Sequence, residues 1–220
     1  SCQGPWKDLV HSSSEGELVS GLLSAQRVFG KTASKASMLS VNAPGIVHIS
    51  THAGFAGNVA GDPLGSSAEF TISQELDGLY SLYIVAAGAN VMSAEKSVIT
   101  YKDLAGWDLN GTSLVVLSAC ETGLGASMRG YGLFGMHRVL AMVGAETTLL
   151  SMWKVDDEAT SALMGLFYKN LRRGLVVDDA LAKAQDTMIK DPELAARGWS
   201  HPYYWAGWQV AGRMSPIYSK

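Results

Sequence analysis

Short apolar runs alternate along this chain with longer stretches in which apolar residues recur at helical spacing. The runs "IVHIS" (Ile46 to Ser50), "SLVVLSA" and "ETTLLSMW" have the continuous aliphatic and β-branched character of strands buried on both faces. Between and around them, amphipathic segments predict helices. Glu15 to Phe29 places Leu18, Leu22, Ala25 and Phe29 on one stripe, with Ser14 ahead of Glu15 and Glu17 in the manner of a capping box and Gly30 as a stop. "KASMLS" reads as a short helix before the turn at Pro44-Gly45, and "TYKDLAGWDLNG" as another short helix and turn. "GYGLFGMHRVLAMVG" is a helix closed by Gly144, Glu158 to Leu171 a long helix, and "VVDDALAKAQDTMI" one more. "PYYWAGWQVAG" ends the pattern as an edge strand after an aromatic turn. From Ala53 to Tyr101 the pattern is weakest, with "EFTI" and "SLYIV" fitting a hairpin or a sheet extension. Strands alternating with helices predict an α/β fold: a mainly parallel sheet covered on both faces.

Composition narrows the class. With 220 residues, 47% of them hydrophobic and 17% charged, the chain is long enough for one sizeable core, and one domain over residues 1–220 is expected. The net charge of -3 comes from 17 basic and 20 acidic residues with no block of either sign, which removes nucleic acid and anionic membrane surfaces as direct partners. Cys2 and Cys120 are the two cysteines, and Cys2 near a chain end is a poor staple, so a reduced, cytoplasmic setting is expected. No apolar stretch approaches the roughly 18 residues that span a bilayer. No Cys or His cluster has ligand spacing, and neither a metal nor an organic cofactor is expected. A chain that starts at Ser1 rather than Met is read as a fragment of something longer.

The 24 glycines gather at strand ends, where backbone amides can approach a ligand closely. Two such ends stand out. "IVHISTHAG" reaches His52 before Ala53 and Gly54, and "VVLSACETG" reaches Cys120 before Glu121, Thr122 and Gly123. If the two strands are parallel neighbours, imidazole and thiol emerge on one rim. A free thiol has a pKa near 8.5, so a nearby imidazole must take its proton and later protonate the leaving amine. The backbone amides of Gly54 and Cys120 are then candidate oxyanion donors, each worth on the order of 3 kcal/mol. Cys120 as a small apolar filler and His52 as a satisfied polar group stand beside that reading. His48 inside the strand, His137 on a helix and His201 before Pro202 are read as packed or supporting residues.

The strings "VVLSACETGLG", "GLFGMHRVLAMVGAETTLLSMWKVDDEAT", "LFYKNL", "DALAKAQ" and "HPYYWAGWQVAG", together with "IVHISTHAG", resemble the CHAT-domain family, a caspase-like peptidase domain often found behind TPR repeats. The resemblance runs from Ile46 to Gly212 with the motifs in the family's order. It implies a caspase-like α/β/α sandwich, in the clan of caspases and separases, with His52 as general base and acid and Cys120 as nucleophile of a cysteine endopeptidase. Where caspases place a glycine directly after the histidine, this chain has Ala53 and then Gly54, which leaves the oxyanion amide open. The implied substrate is a protein cleaved in a signalling or defence role. The implied partners are a linked upstream TPR region or a regulatory protein.

By resemblance to separases, "MWKVDDEATS" lies beside the pocket for the residue preceding the scissile bond. The matching acidic position is Ser161 here, whereas Asp156 and Asp157 stand earlier in the segment and would favour a basic residue. Their other reading is a cap and dipole partner for the following helix, and Trp153 fits an apolar pocket wall equally well. The glycine-rich stretch from Gly123 to Gly135 only loosely matches a phosphate cradle, and is read as a loop carrying Arg129 near the dyad. The competing functional reading is a catalytically silent CHAT-like module that recruits partners within a larger assembly.

Overall fold

The three apolar runs lie side by side at the centre of one six-stranded sheet, ordered β3-β2-β1-β4-β5-β6, with those of β4 and β5 buried and that of β1 half-buried. The computed structural model describes residue 6 and residues 9–55, 82–120, 131–153 and 156–218; at 55, 120 and 131–134 it describes the backbone alone. The strands are β1 (Ile46–Phe55), β2 (Leu82–Val85), β3 (Val98–Thr100), β4 (Leu114–Cys120), β5 (Thr147–Ser151) and β6 (Trp208–Gly212). β1, β4 and β5 pair in parallel, while β2, β3 and β6 add antiparallel at the two flanks. Of the two readings open for the "SLYIV" run, Leu82–Val85 takes the sheet extension, and the "EFTI" run lies outside the described residues.

Helices cover both faces: α1 (Ser12–Leu23), α2 (Lys35–Leu39), α3 (Ala94–Ser97), α4 (Tyr101–Ala105), α5 (Tyr131–Met142), α6 (Asp157–Arg172), α7 (Val177–Lys190), α8 (Pro192–Ala196) and α9 (Pro202–Trp205). Alternation along the central strands divides the interior into two cores. Leu114, Val116 and Leu149 pack with Leu163, Met164, Phe167, Tyr168 and Leu171 of α6 and with Ala180, Ala184 and Met188 of α7. Val115, Leu117 and Leu150 face the other way, against Met136, Val139 and Leu140 of α5 and Leu104 of α4. This is the α/β/α sandwich, consistent with a caspase-like fold. Each fully buried large side chain of these sets contributes about 1.5–3 kcal/mol, which is why the aliphatic run of β4 carries no polar alternation.

Two departures from the pattern matter for the site. α1 begins at Ser12 and ends at Leu23, with Ser24 in the left-handed conformation, so Ser14 lies inside the helix and the Ala25–Phe29 part of the expected stripe is not helical. The inward positions of α1 are Glu15 and Val19, whereas Leu18 is 36% exposed. β1 also continues past His52, because Ala53, Gly54 and Phe55 pair with Ile84, Tyr83 and Leu82 of β2.

Candidate active site

Parallel pairing of β1 with β4 runs in unbroken register from Ile46 opposite Leu114 to His52 opposite Cys120. Residues in register share a face, so positions 46, 48, 50 and 52 line up with 114, 116, 118 and 120 on the side covered by α1 and α6. With strands about 4.8 Å apart, the two predicted residues occupy adjacent places at the carboxyl end of the parallel pair. Cys120 is placed by its backbone, and its side chain lies outside the described part. At this point β1 changes partner: His52 is the last residue paired with β4 and Ala53 the first paired with β2. Among the described residues, β1 has no neighbour on its β4 side from Ala53 to Phe55. Gly54 therefore stands in a strand rather than in a loop.

Gly54 is held to glycine by its neighbour. A Cβ there would lie 2.9 Å from the Tyr83 hydroxyl and 3.1 Å from the ring carbon bearing it, so the phenol occupies the space a side chain needs. Tyr83 and His52 are both approached by the indole of Trp6, whose ring centre lies 5.5 Å from that of His52 and 5.8 Å from that of Tyr83. Trp6 is in turn bound through its backbone to Asn90: its N–H donates to Oδ1 at 3.1 Å and its carbonyl accepts from Nδ2 at 2.8 Å.

Below His52 on the same face lies a buried polar chain. Glu15 of α1, 2% exposed, accepts from Ser50 Oγ at 3.0 Å and contacts His48 Nε2 at 2.9 Å. His48 Nδ1 meets the Tyr168 hydroxyl of α6 at 3.0 Å. For a neutral imidazole the chain closes with Tyr168 donating to Nδ1 and Nε2–H donating to Glu15. Burial, and after it the charge of Glu15, holds the Tyr168 hydroxyl well above the usual phenol range. On the opposite side of β4, the Ser151 hydroxyl donates to the Ala119 carbonyl and accepts from the Ala119 N–H at 3.3 Å. The backbone one residue before Cys120 is thereby clamped to β5.

Leu9, Ser12, Glu15, Ser50, Thr51, Ser118, Ala119, Asp157 and Thr160 surround a small pocket on this face. Asp157 has its carboxyl raised by burial; the charges of Asp156 and Glu15 push the same way, while His11 and His52 pull it down. Asp156 is exposed and caps α6, its Oδ1 accepting from Ala159 N–H at 2.9 Å. Asp156 thus fills the cap role, and Asp157 lines this small cavity. Trp153 packs against Gly207, where a Cβ would come within 2.8 Å of its ring, and its Nε1 donates to the Tyr203 carbonyl at 3.1 Å. Ser161 is half-buried in α6, and Arg129 and the stretch 121–130 lie outside the described residues.

Of the supporting histidines, His48 belongs to the buried chain and His201 caps α9 through Nδ1. His137 meets the Thr148 hydroxyl, and burial lowers its pKa to about 4. Glu15, Tyr83, Asn90, Trp6 and Ser151 escape prediction because their importance comes from long-range contacts. The one available signal was the acidic residue at an inward helical position of α1.

Mouse tetratricopeptide repeat protein 28 is 26% identical to this chain over 219 residues, covering 94% of the chain and 9% of that protein. The human protein of the same name is 24% identical over 219 residues, with 94% and 8% covered. The chain thus spans less than a tenth of the length of the curated relatives it matches. None of the helices among the described residues is long and apolar enough to cross a membrane. The CHAT domain family model matches residues 1–213, and with the caspase-like sheet and its motif-bearing strand ends this chain belongs to the CHAT domain family, which is related to caspase-like peptidases.

Proposed function

We propose that this domain is a cysteine endopeptidase acting on a protein substrate through His52 and Cys120. The observation that carries the reading is the register of β1 and β4, which sets these two residues side by side at the carboxyl end of a parallel pair. Ligand and reaction sites of open α/β sheets concentrate at such ends. In the reaction, His52 takes the thiol proton as the Cys120 sulfur bonds to the scissile carbonyl carbon. The tetrahedral oxyanion then collapses with cleavage of the C–N bond, His52 returning the proton to the departing amine. Water activated by His52 hydrolyses the thioester and regenerates both groups. The Gly54 and Cys120 amides are the proposed oxyanion donors, with Ser151 holding the β4 backbone in place just before the nucleophile.

Asp157 supports a preference for Lys or Arg before the scissile bond, since a carboxylate on a half-buried wall pairs well with a charged donor. The names of the matched relatives support a TPR region linked to this domain in a longer protein. Incubating a mixed peptide library with the chain and with Cys120→Ala, followed by mass spectrometry, tests the reading. Products cut after Lys or Arg that appear only with the unaltered chain support it; identical product spectra from the two refute it and leave the silent module.

A further inference from the structure

Trp6 lies 84 positions from Asn90 in sequence, yet the two are joined through both backbone polar groups of the tryptophan. An antiparallel neighbour holds an extended residue by the same two-bond exchange, one N–H given and one carbonyl received. A side-chain amide that reproduces this exchange reads backbone and is indifferent to the side chain attached. The side chain is read elsewhere, by the rings of His52 and Tyr83 that the indole approaches. Three elements build the shelf: His52 comes from β1, Tyr83 from β2, and Asn90 from the turn after β2. That turn is set by Gly88, at φ +94°, whose carbonyl accepts from the N–H of Val91 at 2.9 Å and of Met92 at 2.8 Å.

The seat matters because of where it is. An aromatic residue on it touches the imidazole that the peptidase reading makes the base. The same N-terminal stretch supplies Leu9 and Ser12 to the pocket that Asp157 and Ser118 border. With these in place the pocket has room for about one water molecule.

We propose that His52, Tyr83 and Asn90 form a peptide-binding subsite for an aromatic residue, and that Trp6 occupies it as an internal competitor of the substrate. The proposal rests on the peptidase reading for its meaning, although binding to the subsite needs no catalysis. When an internal occupant fills a site most of the time, the apparent affinity of an outside ligand falls in proportion to the vacant fraction. Removing the indole raises that fraction.

The test uses the 220-residue chain carrying Cys120→Ala, so that nothing is cleaved, with and without Trp6→Ala. The probe is an N-acetylated, C-amidated pentapeptide with tryptophan at its centre and alanine elsewhere, titrated by calorimetry. It should bind the Trp6→Ala chain at least about tenfold more tightly than the chain that retains Trp6. Adding Asn90→Ala should abolish the gain, and an all-alanine pentapeptide should show none. Equal affinity with and without Trp6, or equal affinity for the two peptides, overturns the proposal. Trp6→Leu, which keeps apolar bulk for folding, should give the same direction of change. The His52 ring protons give an independent reading by NMR: they should shift when Trp6 is replaced, and unchanged signals also overturn the proposal. A Trp6→Ala chain with its thiol intact that binds the probe but cleaves no peptide would refute the peptidase and still support the subsite.

Discussion

Replacing Glu15 by alanine removes the centre of the buried polar chain and costs stability for a reason that can be worked through. The carboxyl group is 2% exposed as part of its residue and receives hydrogen bonds from two groups, Ser50 Oγ and His48 Nε2. Truncation leaves both without their partner in a place that water reaches poorly. An orphaned buried donor costs about 1–3 kcal/mol, so two such groups sum to about 4 kcal/mol. For a domain of this size about 1 kcal/mol moves the Tm by roughly 2–4 °C, and the expected fall is about 12 °C. Urea unfolding followed by circular dichroism measures the free energy, and a cycle with His48→Ala isolates the pair. The coupling between positions 15 and 48 should exceed about 1 kcal/mol, since contacting groups in one network are not additive. A Glu15→Ala loss below about 1 kcal/mol, or strict additivity with His48→Ala, would refute the claim that this polar chain fastens α1 to β1.

His137 has its pKa lowered to about 4 by burial, from an ordinary value near 6.5, so the unfolded chain takes up a proton before the folded one does. Its contribution is present above about pH 6.5 and lost as pH falls to about 4, at a cost on the order of 3 kcal/mol; His137→Gln should flatten that part of the pH–stability curve relative to the unaltered chain. Gly54→Ala should destabilise the fold by about 1–3 kcal/mol through collision with the Tyr83 hydroxyl, and most of that loss should vanish in a Tyr83→Ala background. Burial alone would raise the Asp103 carboxyl, but hydrogen bonds from Lys35, from the Thr100 N–H and from the Thr100 hydroxyl together lower it. Its stabilising contribution is therefore present above the ordinary carboxylate pKa and fades as pH drops through the lowered one, so Lys35→Met should cost more at pH 7 than at pH 2 in thermal melts.

The parallel centre of the fold was legible because a strand buried on both faces has no polar alternation to obscure it, as "SLVVLSA" demonstrates. The ends of α5, α6 and α7 fell close to expectation for a local reason: Gly144, Asp156 and the inward stripe of α7 are signals written within a few residues. α1 misled because its inward face is built around Glu15, whose burial depends on His48 and Ser50 more than 30 positions away. A periodicity reading puts leucines inward and carboxylates outward, and the tertiary hydrogen bonds reverse this. The extension of β1 through Gly54 was hidden likewise, since it exists only because β2 pairs with it. At the site, the glycine-flanked positions of His52 and Cys120 could be read from local pattern, whereas Trp6 meets Tyr83 and Asn90 only across more than 70 positions of sequence. Asp156 and Asp157 are adjacent in sequence and yet differ in role, a distinction made only by which of them turns toward the helix end.

The central claim is that His52 governs the reactivity of Cys120, and the most direct measurement is the rate at which iodoacetamide alkylates that thiol at pH 7. Cys2→Ser leaves Cys120 as the single cysteine, and mass spectrometry follows the adduct. A thiol paired with an imidazole reacts as thiolate, so His52→Ala should slow alkylation by about tenfold or more. Equal rates in the two proteins, with both folded, would contradict the dyad.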